Sequence, residues 1–212
     1  MNDRNRDVTT PVRHPAWSGR ARRWLGIVAF VGAVLVGRSS LADHYRVPTG
    51  SMRPTVHEGD HVLVNKAAYG LRLPQSHIYL AEFGGPARGD VVVFDSPETG
   101  EVLLKRVVAV PGDLVEVRKG RVVLNGETVP VDVAGGGAVE KLDGVRHDLD
   151  LSRGGGPDVG PVKVPPGRYL LLGDNRGNSH DGRFFGFVER SAILGRAIGV
   201  FLRDGVPTWL PL

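Results

Sequence analysis

Two residues of the chain have the types and settings that a serine hydrolase needs. Ser51 lies in the turn PTGSMRPT (48–55), where Gly50 lets a substrate approach the backbone and prolines stiffen both flanks. Lys105 lies inside the apolar run 102–110. A lysine removed from water loses its proton more readily, and a neutral amine can take the proton of a serine hydroxyl. Together the two residues predict a serine nucleophile with a lysine as its general base.

The position of Lys105 leaves two interpretations open. On a strand, alternate side chains point to opposite faces, so Lys105 and Arg106 project in opposite directions. If this is an edge strand, the charges of both residues lie at the rim of the sheet. If Lys105 points inward, burial lowers its pKa and makes it a competent base.

The neighbours of Ser51 supply candidates for binding the reacting carbonyl. The hydroxyl of Thr49 and the backbone N–H of Ser51 lie close together in the chain and predict an oxyanion hole. We also expect Met52 to form a wall of the substrate cleft on the side that faces lipid.

A third segment, LLLGDNRGNSHDGR (170–183), leads from an apolar run into a polar turn. An Asx-rich surface loop is the plain interpretation, and calcium binding is disfavoured because two arginines would repel the ion and no glutamate closes the site. The functional interpretation is a support for the catalytic pair. In it, Ser179 hydrogen-bonds the amine of Lys105, and Asp181 pairs with Arg183.

Composition excludes several function classes. The net charge of +4 comes largely from six arginines among the first 23 residues, and no basic stripe with aromatic residues follows, so we expect no nucleic-acid partner. Cysteine is absent, which excludes disulfides and thiolate nucleophiles and disfavours a structural zinc site. We predict no metal and no organic cofactor.

Residues 43–212 are predicted to form one mainly β domain, an antiparallel and barrel-like sheet structure. The 30 glycines and 15 prolines indicate many turns, and 190–194 is the one stretch that suggests a helical turn. Glycine-rich residues 133–162 are expected to form a mobile surface insertion. Segment 71–86 is either a loop packed over the core or a lip that touches substrate or lipid. The predicted strands are 60–66, 90–94, 102–110, 114–119, 121–124 and 168–172.

The N-terminal region predicts a membrane anchor. Residues 1–22 form a basic tail, and residues 23–42 are the predicted anchor. Its uncharged part, 24–37, is shorter than the ~20 apolar residues that usually cross a membrane. A buried core helix and a cleaved signal peptide are the alternatives. The arginine-rich tail predicts a cytoplasmic N-terminus and an extracytoplasmic domain after residue 43.

The order of SMRPT, LKRVVAVPGD and GDNRGNSHDGRFFGFV resembles type I signal peptidases, membrane-bound Ser–Lys endopeptidases, over nearly the whole chain. The resemblance implies Ser51 as nucleophile, Lys105 as general base and Thr49 as an oxyanion donor. It also implies supporting roles for residues of the last motif, namely Ser179, Asp174, Asp181 and Arg183. Gly182 departs from the serine that the family usually has there, and we expect this to remove a local hydrogen bond without removing catalysis.

The resemblance also implies a substrate and a location. Such enzymes remove signal peptides from secretory preproteins after small residues, typically alanine, at the extracytoplasmic face of the bacterial cytoplasmic membrane. The expected partners are therefore preproteins and membrane lipid, without nucleic acid or metal.

Three other protein classes remain as alternatives. A self-cleaving repressor protease shares the chemistry but is soluble and carries a DNA-binding helical domain. A pilin-processing peptidase of conjugation systems is a closer relative, and a membrane-tethered β-domain that only binds extended peptides lacks catalysis. A Ser–His triad with His57, His61 or His180 is disfavoured, because these histidines lie in polar segments.

Overall fold

The computed structural model of the chain describes residues 23–28, 41–72, 79–134 and 137–212. The chain divides into two compact units, Met1–Gly37 and Arg38–Leu212, and the first is described only at the helical residues 23–28. Most of the predicted anchor, at 29–40, lies outside the described residues. In the described ranges, no helix combines the length and the apolar character that crossing a membrane requires.

The Arg38–Leu212 unit consists of short strands joined by tight turns. Four short helical turns interrupt the strands, at Gly50–Met52, Arg176–Asn178, Gly182–Phe185 and Arg190–Ala192. The strands are β1 (Ala42–Arg46), β2 (His61–Asn65), β3 (Gly70–Arg72), β4 (Tyr79–Glu82), β5 (Val91–Asp95), β6 (Val102–Ala109), β7 (Leu114–Arg118), β8 (Arg121–Leu124), β9 (Glu127–Thr128), β10 (Val131–Ala134), β11 (Gly137–Leu142), β12 (Val145–Leu149), β13 (Val159–Lys163), β14 (Arg168–Leu172), β15 (Val188–Glu189), β16 (Ile193–Arg203) and β17 (Val206–Pro211).

The strands form four antiparallel sheets. The largest has the order β1-β2-β16-β5-β6-β14-β15, with β17 also paired to β16. The smaller sheets are β10-β11-β12, β13-β7-β8-β9 and β3-β4. Among the described residues no pairing joins β1 to β15, so the predicted barrel-like sheet is open. Strand β6 pairs with β5 over residues 102–106, and its described pairing with β14 begins at Arg106. Lys105 and Arg106 are only 3% and 2% exposed, so the two charges do not lie at a solvent-exposed rim.

The core is built mainly from valine and leucine on strands that are buried on both faces. Strand β14 is an example: Leu170 and Leu172 pack with Val115 on one side, while Leu171 packs with Phe94 on the other. Burial on both faces fixes this strand firmly. The polar segment that follows it therefore starts from a rigid position.

The prediction of a mainly β, antiparallel fold is confirmed. All six predicted strands occur within one residue of their expected bounds, because each is rich in valine or leucine and has turn residues at its ends. Two of the β-hairpins turn at Lys119-Gly120 and Asn125-Gly126, where both residues of each pair have positive φ. The helical turn expected at 190–194 is the short turn Arg190–Ala192.

The described part of segment 133–162, which the sequence predicts to be a mobile insertion, contains regular strands. It contributes to β10 and β13 and forms all of β11 and β12, with Leu142 and Leu149 buried. The buried face of β11 carries Ala138, Glu140 and Leu142, and a glutamate on this face hides the apolar alternation typical of a strand. Strand β16, with 11 residues, was not predicted either, since two glycines and two charges interrupt its apolar run.

Segment 71–86 includes the end of β3 and all of β4, and its residues 73–78 lie outside the described ranges. Leu80 and Phe83 are 65% and 63% exposed, so these two side chains do not pack over the core. The packed-loop interpretation therefore does not hold for these two side chains, and contact with substrate or lipid stays a prediction.

Candidate active site

Ser51 and Lys105 meet at one end of the large sheet. Ser51 lies in the helical turn Gly50–Met52, and Lys105 lies in β6, 54 residues later. The amine Nζ of Lys105 lies 2.6 Å from the hydroxyl Oγ of Ser51 and donates a second hydrogen bond of 3.1 Å to the carbonyl of Leu104. At 2.6 Å a neutral amine can accept the hydroxyl proton directly.

Burial lowers the pKa of Lys105 to about 8, although the charges of Asp181 and Asp174 act in the opposite direction. The side chain is almost inaccessible, since Lys105 is only 3% exposed. At pH 7 roughly a tenth of the amine is therefore unprotonated, far more than for an ordinary lysine with a pKa of ~10.4.

Both residues face a pocket of about 330 Å³. The hydroxyl of Thr49 donates a hydrogen bond of 3.4 Å to Oγ of Ser51, so this predicted oxyanion donor lies beside the serine hydroxyl. Met52 also lines the pocket, but it is 1% exposed and packs in the core with Val56. The remaining lining residues are Tyr45, Arg46, Val47, Pro48, Val62, Val93, Glu101, Val102, Leu103 and Leu104.

Asp174 forms a buried ion pair with Arg106, the residue next to Lys105 in the chain. Nε and Nη2 of Arg106 donate to the two carboxylate oxygens at 2.9 and 2.7 Å, and Thr55 adds a hydrogen bond of 2.6 Å. Burial raises the pKa of Asp174, but the charge and hydrogen bonds of Arg106 outweigh this and hold it below its usual range. The sequence placed Asp174 in a supporting role but did not identify Arg106 as its partner.

Asp181 pairs with Arg183 through bonds of 2.8 Å from both Nε and Nη2. Burial raises the pKa of Asp181, whereas the hydrogen bonds and charge of Arg183 lower it below its usual range. Its oxygens also accept the backbone N–H groups of Gly173 and Arg183. The pair thereby fastens the end of β14 to the turn that follows.

The predicted hydrogen bond between Ser179 and the lysine amine is absent from the described residues. Ser179 is buried beside Gly173, at a point where a β-carbon on that glycine would lie 2.4 Å from the carbonyl oxygen of Ser51. Gly182 is similarly crowded, because a β-carbon there would lie 2.9 Å from the carbonyl oxygen of Leu171. Close approach to β14 thus explains the glycine at position 182.

Asn175 is a site residue that the sequence did not single out. Its backbone N–H donates to the carbonyl of Ser51, and its Nδ2 donates to the carbonyl of Gly50, both at 3.1 Å. These two bonds fix the turn that carries Ser51. No sequence signal marks this role, since asparagine in a polar turn usually serves the turn itself.

The three histidines considered for a triad lie elsewhere. His57 contacts the carbonyl of Pro54, His61 stacks on His44, and His180 lies 2.7 Å from Glu98. Within the ranges that the structure describes, no cluster of His, Cys, Asp and Glu is suited to hold a metal ion.

Comparison with known proteins agrees with this arrangement of motifs. The family model described as signal peptidase, peptidase S26, matches residues 21–202. Signal peptidase I of Pseudomonas fluorescens is 40% identical over 192 residues, covering 80% of this chain and 68% of that protein. Signal peptidase I of Bacillus amyloliquefaciens is 31% identical over 176 residues, covering 82% and 81%. A crystal structure of a signal peptidase I from Enterococcus faecalis V583 is 30% identical, with a TM-score of 0.37 and coverage of 52% of this chain and 95% of that chain.

The ion pair of Asp174 predicts an acid-sensitive fold. Since the pKa of Asp174 is lower in the folded chain than in the unfolded chain, its contribution is complete above the ordinary aspartate pKa of ~3.9 and is lost as the pH falls further. Asp174→Asn leaves Arg106 buried without a counter-charge, which costs roughly 3–5 kcal/mol near pH 7. Urea unfolding between pH 3 and pH 7 should therefore show a shallower pH dependence for the variant than for the parent.

Asp43→Asn is the matched control, because Asp43 is an exposed carboxylate 3.6 Å from Lys66. Its removal should change the free energy of unfolding by less than ~1 kcal/mol. Parallel pH curves for Asp174→Asn and the parent would contradict the assigned role of the buried pair.

Proposed function

The chain belongs to the signal peptidase family, peptidase S26, and from this premise we propose that it is a membrane-anchored endopeptidase that removes signal peptides from secreted preproteins. Family membership makes it a peptidase. The observation that carries the proposed mechanism is the 2.6 Å contact between the buried amine of Lys105 and the hydroxyl of Ser51.

The proposed reaction is acyl transfer in two steps. Lys105 takes the proton of Ser51, whose oxygen attacks the scissile carbonyl, while Thr49 and the N–H of Ser51 stabilise the oxyanion. Lys105 then gives its proton to the leaving amine, and the acyl group remains on Ser51. Water, deprotonated by the same lysine, releases the signal peptide and regenerates the serine.

The strand edges beside the pocket support binding of an extended peptide. Residues 102–105 of β6 pair with β5, whereas the described pairing with β14 begins only at Arg106. A substrate can therefore add as a strand along the free edge. Valine, leucine and methionine side chains make the pocket small and apolar, which suits the small residues expected before the cleaved bond.

The first test separates catalysis from peptide binding. Ser51→Ala and Lys105→Ala should each lower the rate of preprotein cleavage by roughly 10³-fold or more, because the dyad acts as a unit. Processing is followed by gel shift of a purified secretory precursor. Ser152→Ala and Lys66→Ala, at an exposed serine and a lysine outside the pocket, should cleave at the parent rate. Parent-level cleavage by either dyad variant would refute the mechanism.

The second test uses the pKa of Lys105. The neutral amine is the active form, so kcat/KM should rise about tenfold per pH unit below pH 8 and level off above it. A flat profile from pH 6 to pH 9, at constant folded fraction, would argue against a lysine base.

The third test concerns topology. We propose that residues 23–42 anchor the chain with 1–22 in the cytoplasm and 43–212 outside. Protease added to intact spheroplasts should then digest the domain and spare an epitope tag at the N-terminus, with the reverse result in inverted vesicles. A domain that is protected in spheroplasts and cut in inverted vesicles would overturn the orientation.

A further inference from the structure

A buried carboxylate outside the catalytic motifs contacts the segment that holds the nucleophile turn. Glu140, on β11, is fully buried and binds the guanidinium of Arg176 with both oxygens, at 3.2 Å from Nη1 and 2.7 Å from Nη2. Nε2 of His147, its cross-strand neighbour on β12, lies 3.1 Å from Oε2. The ion pair of Glu140 and Arg176 joins the three-stranded sheet β10-β11-β12 to the polar segment after β14.

Arg176 uses the rest of its guanidinium on two other elements. Nε donates to the carbonyl of Gly173 at 3.1 Å, and Nη1 also donates to the carbonyl of Gly120 in the turn between β7 and β8. A planar guanidinium with all its nitrogens bonded has one permitted orientation. Glu140 therefore sets the position of the backbone that runs from Gly173 to Arg176.

That backbone leads directly to the nucleophile. The N–H of Asp150 donates to the carbonyl of Asp174 at 2.9 Å, and the N–H of Arg176 returns a bond of 3.0 Å to the carbonyl of Asp150. Asn175 lies between Asp174 and Arg176 in the chain, and it donates hydrogen bonds to the carbonyls of Gly50 and Ser51. An unbroken series of contacts thus connects β11 to the Ser51 turn.

We propose that Glu140 is a positioning residue for the Ser51–Lys105 pair, acting through Arg176 and Asn175; this inference rests on the proposed function. A purely stabilising role is a poor explanation, because a buried ion pair gains little over apolar residues of the same size. What apolar residues cannot replace is the fixed orientation of Arg176. A shift of 1 Å between nucleophile and base is enough to lower a rate about 100-fold.

The test compares a single and a double variant. Glu140→Gln removes the charge but keeps the shape, and Glu140→Met combined with Arg176→Met removes both charges and fills the space, so that the fold is retained if the single variant unfolds. In both, kcat for preprotein cleavage, corrected for the folded fraction, should fall at least tenfold. KM should stay within twofold, because neither residue lines the pocket.

Hydrogen exchange followed by mass spectrometry supplies a second measurement that does not depend on activity. Peptides that contain 48–55 and 173–178 should exchange faster in both variants, while peptides from β16, which neither Glu140 nor Arg176 contacts, should not change. Asp113→Asn is the control: it breaks the ion pair of Asp113 with Arg88, away from the pocket. It should reduce thermal stability and leave kcat and the exchange of 173–178 unchanged.

Two results would overturn the inference. One is a parent-level kcat per folded molecule with unchanged exchange at 173–178. The other is faster exchange spread evenly over the chain, which would indicate a general loss of stability. If the parent itself cleaves no preprotein, the proposed function fails, and the exchange of 173–178 still decides whether Glu140 holds this backbone.

Discussion

The properties of the candidate site depend on the burial of one lysine amine, that of Lys105. Lys105 lies on β6 of the large sheet, and its burial lowers its pKa to about 8 because the charged ammonium form loses its hydration. A more exposed position would restore the ordinary pKa of lysine, and the amine would then stay protonated near neutral pH. The packing around β6 therefore controls how readily this amine loses its proton.

Two nearby carboxylates raise the pKa of Lys105, and two arginines weaken this effect by pairing with them. Asp174 and Asp181 both raise the pKa of Lys105, since each favours a positive charge nearby. Each carboxylate is bound by its own guanidinium, from Arg106 and Arg183, which already satisfies its need for a counter-ion. Lysine would be a poor substitute for either arginine, because only the planar fork can bind both oxygens at once.

The sequence predicted the parts of the site that depend on local chemistry. Ser51 and Lys105 are informative as a pair, because a serine in a turn is common and a lysine inside an apolar strand is the sharper signal. Arg106 and Asn175 did not stand out, because their roles arise only when β6, the Ser51 turn and the segment after β14 come together. The same holds for the sheet β10-β11-β12, since glycine content is a local property and the burial of Glu140 comes from tertiary contacts.

The segment after β14 contains glycine as well as polar residues because the buried charges near Ser51 and Lys105 must be paired at short distance. Guanidinium groups and carboxylates satisfy each other only at hydrogen-bond distance, so the backbone segments that carry them must approach closely. Gly173 allows the chain to pass against the carbonyl of Ser51, and Gly182 allows it to return against β14. A β-carbon at position 173 would lie 2.4 Å from the carbonyl oxygen of Ser51, so any side chain there would push the two segments apart. Close backbone approach and charge pairing are thus one requirement, and together they keep the hydroxyl of Ser51 within 2.6 Å of the amine of Lys105.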